Sequence, residues 1–228
     1  VRMSGFFIPR MDILPSAQRL VWPELRAAAA LGFVLYGGTA IALRLGHRFS
    51  VDFDFFSEEP LERENLRSVF PFMERATTLQ DRGNTLTLLV PAADDQPVKI
   101  SFFGGIDFGR VGEPAWTQDG VLQVAALEDL LATKLKVILQ RAEAKDYRDL
   151  AAMLKAGVSL AHGLAAARRL FGSAFQPGES LKALVYFDDG AVPTLAVEDR
   201  RILIESVRLV RDLPEVVLRS PHLLRGQE

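Results

Sequence analysis

FVLYGGTAIALRLGHRFSVDFDFF, running from Phe33 to Phe56, is the stretch on which the reading of the whole chain turns. Phe33-Val-Leu-Tyr36 is a short apolar run of the kind that forms a buried strand. Gly37-Gly38 ends it. Thr39 opens TAIALRLG, a short helix with Thr39 near its start and Gly46 just past its end. A second strand is expected from Val51 to Phe56. Alternate residues of a strand share a face, so Asp52 and Asp54 point one way while Val51, Phe53 and Phe55 point the other.

Two carboxylates side by side repel, and here they back onto a strongly apolar face. A solvated strand edge would also alternate in this way. The Gly-Gly turn upstream and the phenylalanines behind favour a metal site instead, because hard divalent ions take oxygen ligands and keep positions open for water and phosphate. A Gly-Gly turn lets backbone approach a ligand closely. The N-terminus of the next helix offers unpaired N–H groups and a positive dipole end to an anion. Phosphate donors and a carboxylate pair joined by one short helix suit phosphoryl transfer. For Gly37, Gly38 and Thr39 taken alone, a plain strand-to-helix turn is equally good.

GG followed thirteen residues later by Val-Asp-Phe-Asp-Phe resembles the signature of the DNA polymerase β-like nucleotidyltransferases. The fuller string LYGGTAIALRLGHRFSVDFDFFS is similar to the AbiEii/AbiGii toxin family within that group, and the likeness runs from about Leu31 to Leu154. The resemblance implies an α+β fold: a nucleotidyltransferase-type mixed β-sheet core with flanking helices, followed by a helical C-terminal part. It implies that Asp52 and Asp54 hold Mg²⁺ (or Mn²⁺). It also implies that Gly37, Gly38 and Thr39 contact nucleotide phosphates, with Thr39 keeping the hydroxyl of the Ser found in many relatives. The activity implied is transfer of a nucleoside monophosphate from an NTP to a hydroxyl acceptor, with tRNA or other RNA as the acceptor. The biological setting implied is the toxin of a toxin–antitoxin or phage-defence pair, with a cognate antitoxin as partner.

Arg48 lies just before the Asp strand, where a guanidinium can pair with the carboxylates or hold phosphate. His47 reads as a helix-end cap and Ser50 as structural. The polymerase β fold usually carries a third carboxylate on a neighbouring strand. VKISFF, residues 98–103, is the strand that should supply it, and Ser101 stands there with Lys99 on the same face. Asp107 could reach the site only if the loop after Gly104-Gly105 folds back.

A second cluster is TKLKVILQRAEAKDYRDL, residues 133–150. On a helical wheel Lys134 and Arg141 share a stripe that borders the apolar one, and Lys145 joins them if the helix is continuous. Basic side chains snorkelling at a core edge would look the same, and that reading is kept for Lys136. The resemblance places Lys134, Arg141 and Asp146 in a K…R…KDxxD pattern of the active cleft. Asp149 shares a face with Asp146, and local pairing of both with Lys145 and Arg148 competes with that role.

The remaining chain sets the frame. Its 228 residues fit one large domain or two small ones. A boundary is expected near Val124, giving a 1–124 nucleotidyltransferase core and a 125–228 helical domain. A formal net charge of −2 supplies no overall basic field, so an RNA substrate needs a local patch. With no cysteine, disulfides and thiol chemistry are excluded. No signal peptide or membrane-length apolar run is read, which makes the cytoplasm the expected compartment. Helices are expected over Ser16–Leu31 and from Ser57 to about Val69, and at about Leu127–Arg141, Lys145–Lys155, Leu160–Phe171, Glu179–Phe187 and Glu198–Leu213. A hairpin is expected around Asp81-Arg82-Gly83-Asn84, a polar turn over Pro91–Pro97, an edge strand over Val121–Val124, and an extended arm over Val1–Pro15. Two other functions stay open: a binding domain that keeps the fold without catalysis, and a glycosyltransferase using DxD. The short chain and the Gly-Gly helix ahead of DxD weigh against the second.

Overall fold

A computed structural model describes residues 5–92 and 96–225. The first residues of the expected arm and the middle of the Pro91–Pro97 turn lie outside them. Contacts divide the chain into two compact units, one gathering residues up to 107, 113–125 and those from 221 onward, the other 108–112 and 126–220.

The first unit holds the sheet. Its strands are β1 (Phe6–Phe7), β2 (Val34–Tyr36), β3 (Asp52–Phe56), β4 (Thr77–Arg82), β5 (Thr85–Val90), β6 (Val98–Phe103), β7 (Ala115–Thr117) and β8 (Gln123–Val124). They are ordered β1-β7-β8-β2-β3-β6-β5-β4. Parallel pairs (β1 with β7, β8 with β2, β3 with β6) mix with antiparallel ones, so the sheet is mixed and the fold is α+β. Helices α1 (Ser16–Val21), α2 (Gly37–Leu45) and α3 (Arg63–Val69) belong to the same unit.

Strand alternation sets the two faces of the central strands. Phe53 and Phe55 are fully buried. The Phe55 ring lies 5.4 Å from that of Phe102, which also meets Phe33 at 5.1 Å and Phe70 at 5.3 Å. Each such ring pair adds about 0.5–1.5 kcal/mol beyond simple area burial. This aromatic layer fixes the register of β3, since a one-residue slip would put Asp52 and Asp54 into it. The opposite face of β3 carries Asp52 and Asp54, followed by Phe56, which stacks on Tyr36 at 4.7 Å.

Several boundaries differ from the sequence expectations. The helix expected over Ser16–Leu31 is α-helical only to Val21 and continues as 3₁₀ turns from Trp22 to Leu31. Pro23 lacks the N–H that an α-helix needs from it. The helix expected from Ser57 begins only at Arg63. Residues 57–59 are engaged elsewhere: Ser57 N–H donates to Phe103, and Gly105 and Ile106 donate to Glu59 and Ser57. Residues 121–124 do not form an edge strand; β8 lies inside the sheet, between β7 and β2. The true edge near it is β1, drawn from the expected arm.

The second unit carries α4 (Leu127–Val137), α5 (Ala144–Lys155), α6 (Leu160–Phe171), α7 (Pro177–Ala183) and α8 (Val197–Leu209). Gly163 on α6 lets Leu131 of α4 close in, since a Cβ there would stand 2.7 Å from Leu131 Cγ. The Ser159 side chain caps α6 by accepting from the His162 N–H at 3.3 Å. Among the described residues no helix is long and apolar enough to cross a membrane.

Candidate active site

The β2–α2–β3 element builds the first cluster. Tyr36 pairs in register with Asp54, so the start of α2 and the Asp strand are adjacent. Gly37 has φ +74°, and a Cβ on it would overlap the Asp54 carboxylate. Only glycine combines that backbone with that approach. Gly38 and Thr39 follow within the first turn of α2. Gly46, at φ 67°, closes the helix by donating to Ala42 at 2.7 Å.

The Thr39 side chain is turned inward. It is 2% exposed, its hydroxyl lies 2.7 Å from that of Ser50, and it donates to the Asp52 carbonyl. Thr39 and Ser50 therefore pin α2 to the start of β3, and what Thr39 presents at the turn is its backbone. Arg44 anchors the other end of α2 by donating to the carbonyls of Ala125 at 2.9 Å and Val124 at 2.8 Å, with Phe7 beneath its guanidinium. Sequence reasoning missed Arg44, whose partners lie some 80 residues away. Arg48 donates to the Phe49 carbonyl at 2.9 Å.

On the far side of β3, parallel pairing with β6 sets Lys99 beside Asp52 and Ser101 beside Asp54. The Lys99 ammonium lies 2.8 Å from Asp52 Oδ2, both side chains being partly exposed. Ser101 is buried and its hydroxyl meets that of Thr87 at 3.4 Å. The register position beside Asp54 is taken by Ser101, and Asp107 lies past the end of β6. The chain leaving β6 runs beside Ser57 and Glu59, and Ser57 follows β3, three residues or about 10 Å beyond Asp54.

Among the described residues no group of three or more His, Cys, Asp or Glu could hold a metal ion. The protein's donors at β3 are thus a partly exposed carboxylate pair. That set fits Mg²⁺ held jointly by one or two carboxylates, water and substrate phosphates, rather than a closed protein cage.

The second unit has its own charged cluster. The Lys134 ammonium lies 2.5 Å from Asp146 Oδ1 and 2.8 Å from Asp149 Oδ2, and both carboxylates are completely buried. Arg141 donates to Asp146 through Nε at 2.8 Å and Nη2 at 3.3 Å. Burial works to raise the Asp146 carboxyl. The Arg141 hydrogen bond and the Lys134 charge outweigh it and hold Asp146 below the usual carboxylate range. The continuous wheel stripe is not realised. Helix α4 ends at Val137, and Arg141 reaches Asp146 from the loop before α5. Lys145 pairs instead with Glu143 at 2.9 Å. Lys136 rests its ammonium 4.1 Å over the Phe171 ring, as a snorkelling lysine does.

A mixed sheet with a Gly-Gly turn set against the first carboxylate strand defines a nucleotidyltransferase fold. Two solved structures are similar to it. One is a protein of H. pylori assigned as a nucleotidyltransferase, with TM-score 0.56 and 18% identity over 84% of this chain and 92% of that one. The other is MenT4, a nucleotidyltransferase toxin of Mycobacterium tuberculosis H37Rv, with TM-score 0.57 and 15% identity over 84% and 83% of the two chains. An uncharacterised protein of Aquifex aeolicus (strain VF5) is 30% identical over 164 residues, covering 69% of this chain and 74% of that protein.

Residues 24–212 match the family described as "Nucleotidyl transferase AbiEii toxin, Type IV TA system". The chain belongs to the AbiEii nucleotidyltransferase toxin family, and it is a nucleotidyltransferase.

Proposed function

We propose that the protein transfers a nucleoside monophosphate from an NTP to a hydroxyl of an RNA acceptor, tRNA included, with Mg²⁺ held at Asp52 and Asp54. The observation that carries this reading is the seating of the Asp54 carboxylate against Gly37. It sets carboxylate oxygens beside a helix N-terminus that suits phosphate. The backbone N–H groups of Gly37, Gly38 and Thr39 bind triphosphate oxygens, and Arg48 adds charge. For Lys134 and Arg141 the role implied by the family pattern is nucleotide binding, and for Lys134 and Asp146 it is also catalysis, beside the mutual pairing described above.

In the reaction the acceptor oxygen forms a bond to the α-phosphorus. The bond from that phosphorus to the α,β-bridging oxygen breaks, and pyrophosphate leaves with its electron pair. The hydroxyl proton passes to solvent, since Ser101 stands where an acid would take it. Bound Mg²⁺ supplies positive charge to the triphosphate and lowers the cost of ionising the hydroxyl. The protein acts in the cytoplasm as a toxin of a phage-defence pair, restrained by a cognate antitoxin.

The absent third acid favours a second reading, nucleotide binding without turnover. One experiment tests both: incubation with each α-labelled NTP, Mg²⁺ or Mn²⁺, total RNA and protein, alongside a direct measurement of NTP binding. Label appearing in RNA supports transfer. Binding without label supports the second reading, and label appearing in protein alone contradicts the RNA acceptor.

A further inference from the structure

The polar face of β3 and β6 carries an unusual charge set. Where a triad would place three carboxylates, this sheet places Asp52, Asp54 and Ser101, and adds Lys99 in register with Asp52. The Lys99 ammonium is 2.8 Å from Asp52 Oδ2, with the two side chains 39% and 30% exposed. The Lys99 ammonium offsets the charge of Asp52, which weakens the attraction of the pair for a free divalent cation. The cation must also displace a charge already in contact with one of its ligands.

We infer that Lys99 is a built-in counter-ion that holds the metal's place at Asp52, so the carboxylate pair loads its metal together with the nucleotide and not before it. This rests on the metal role proposed above for Asp52 and Asp54. Lys99 suits the task on three counts. It neighbours Asp52 through strand pairing, so the contact is imposed by the fold. Its ion pair is partly solvated, so an arriving metal–triphosphate breaks it at low cost. Its stem is long and flexible, so the freed ammonium can turn toward the triphosphate rather than remain beside a cation. An arginine would make a firmer, bidentate clamp on Asp52.

The test is Mn²⁺ binding followed by electron paramagnetic resonance on the full chain, with and without an α,β-methylene NTP analogue. In the unmodified protein Mn²⁺ should bind weakly alone and at least about tenfold more tightly with the analogue. Lys99→Met should raise the affinity for Mn²⁺ alone by at least about fivefold and shrink the enhancement by the analogue. Lys99→Arg keeps the charge and should bind no more Mn²⁺ alone than the unmodified protein. If Lys99→Met leaves affinity for Mn²⁺ alone unchanged while the analogue still recruits the ion, the counter-ion role is wrong and the carboxylate site stands. If the analogue recruits no Mn²⁺ to the unmodified protein or to either variant, the metal role of Asp52 and Asp54 fails, and this inference fails with it.

Discussion

A Cβ placed on Gly37 would land on the carboxylate of Asp54, overlapping Oδ2 and standing 3.2 Å from Cγ. The glycine that opens α2 and the acid on the strand are therefore one device: the first is small so that the second can sit against the turn. Gly37→Ala imposes a left-handed backbone on alanine, at about 1–2 kcal/mol, and also pushes Asp54 away. The melting temperature should drop by a few degrees and nucleotide transfer by at least about a hundredfold. Gly83 is the control, with φ +54° and nothing within 4 Å of its Cβ position. Gly83→Ala should lose similar stability while keeping its transfer rate. Equal loss of transfer in both variants would break the link between Gly37 and Asp54.

Lys134 faces two carboxylates that have no exposure to solvent. Lys134→Met leaves them buried with Arg141 as the remaining cation identified at Asp146, a defect of about 3–5 kcal/mol. Lys136→Met gives up a cation–π contact of about 0.5–1 kcal/mol. Denaturant unfolding of the two variants should separate them clearly. If Lys134→Met unfolds like the unmodified protein yet no longer binds NTP, the cluster serves the nucleotide and not the fold.

Asp129 gives the second unit a pH signature. It is buried, and burial lifts its carboxyl from 3.8 to about 6, although the N–H groups of Val111 and Gly112 donate to it at 2.8 and 3.0 Å. The folded state then holds that proton more tightly than the unfolded state does. Stability should fall as pH rises from about 4 to about 6, by up to about 3 kcal/mol, and level off above. Asp146 acts in the opposite sense in a lower window. Its folded pKa is depressed, so its contribution is present above the ordinary carboxylate pKa and is lost as pH falls through the folded value. Melting curves between pH 4 and 7 on Asp129→Asn should show a flatter slope than the unmodified protein; an unchanged slope would remove Asp129 as the cause.

The central part of this fold is legible in the sequence because its signals are local. Alternation of Asp and Phe gives the faces of β3, the glycines bound α2, and an Asp-Arg-Gly-Asn turn marks the β4–β5 hairpin. What sequence does not carry is pairing across distance. Ser57–Glu59 has the acids of a helix start, but the chain leaving β6 takes its backbone hydrogen bonds. Residues Phe6–Phe7, Ala115–Thr117 and Gln123–Val124 are too short to show a period, and only their partners make them strands. The basic stripe of the second unit was visible as composition but not as geometry, because α4 stops at Val137 and Arg141 reaches Asp146 from a loop. Lys99 could be placed on the face of Ser101 from alternation alone. Its contact with Asp52 needed the register of β3 against β6.

Asp52 and Asp54 are proposed to support transfer of the α-phosphoryl nucleoside unit of an NTP. The most direct test runs the protein with total RNA and Mg²⁺ on the same NTP labelled at the α-phosphate in one sample and at the γ-phosphate in the other. The proposed reaction puts α-label in RNA and releases γ-label as pyrophosphate. Asp52→Ala and Asp54→Ala should each lose at least about a thousandfold of this transfer while melting within a few degrees of the unmodified protein, since removing one of two partly exposed, repelling carboxylates costs the fold little. Covalent γ-label in the acceptor, or full α-label transfer by either variant, would contradict the proposal.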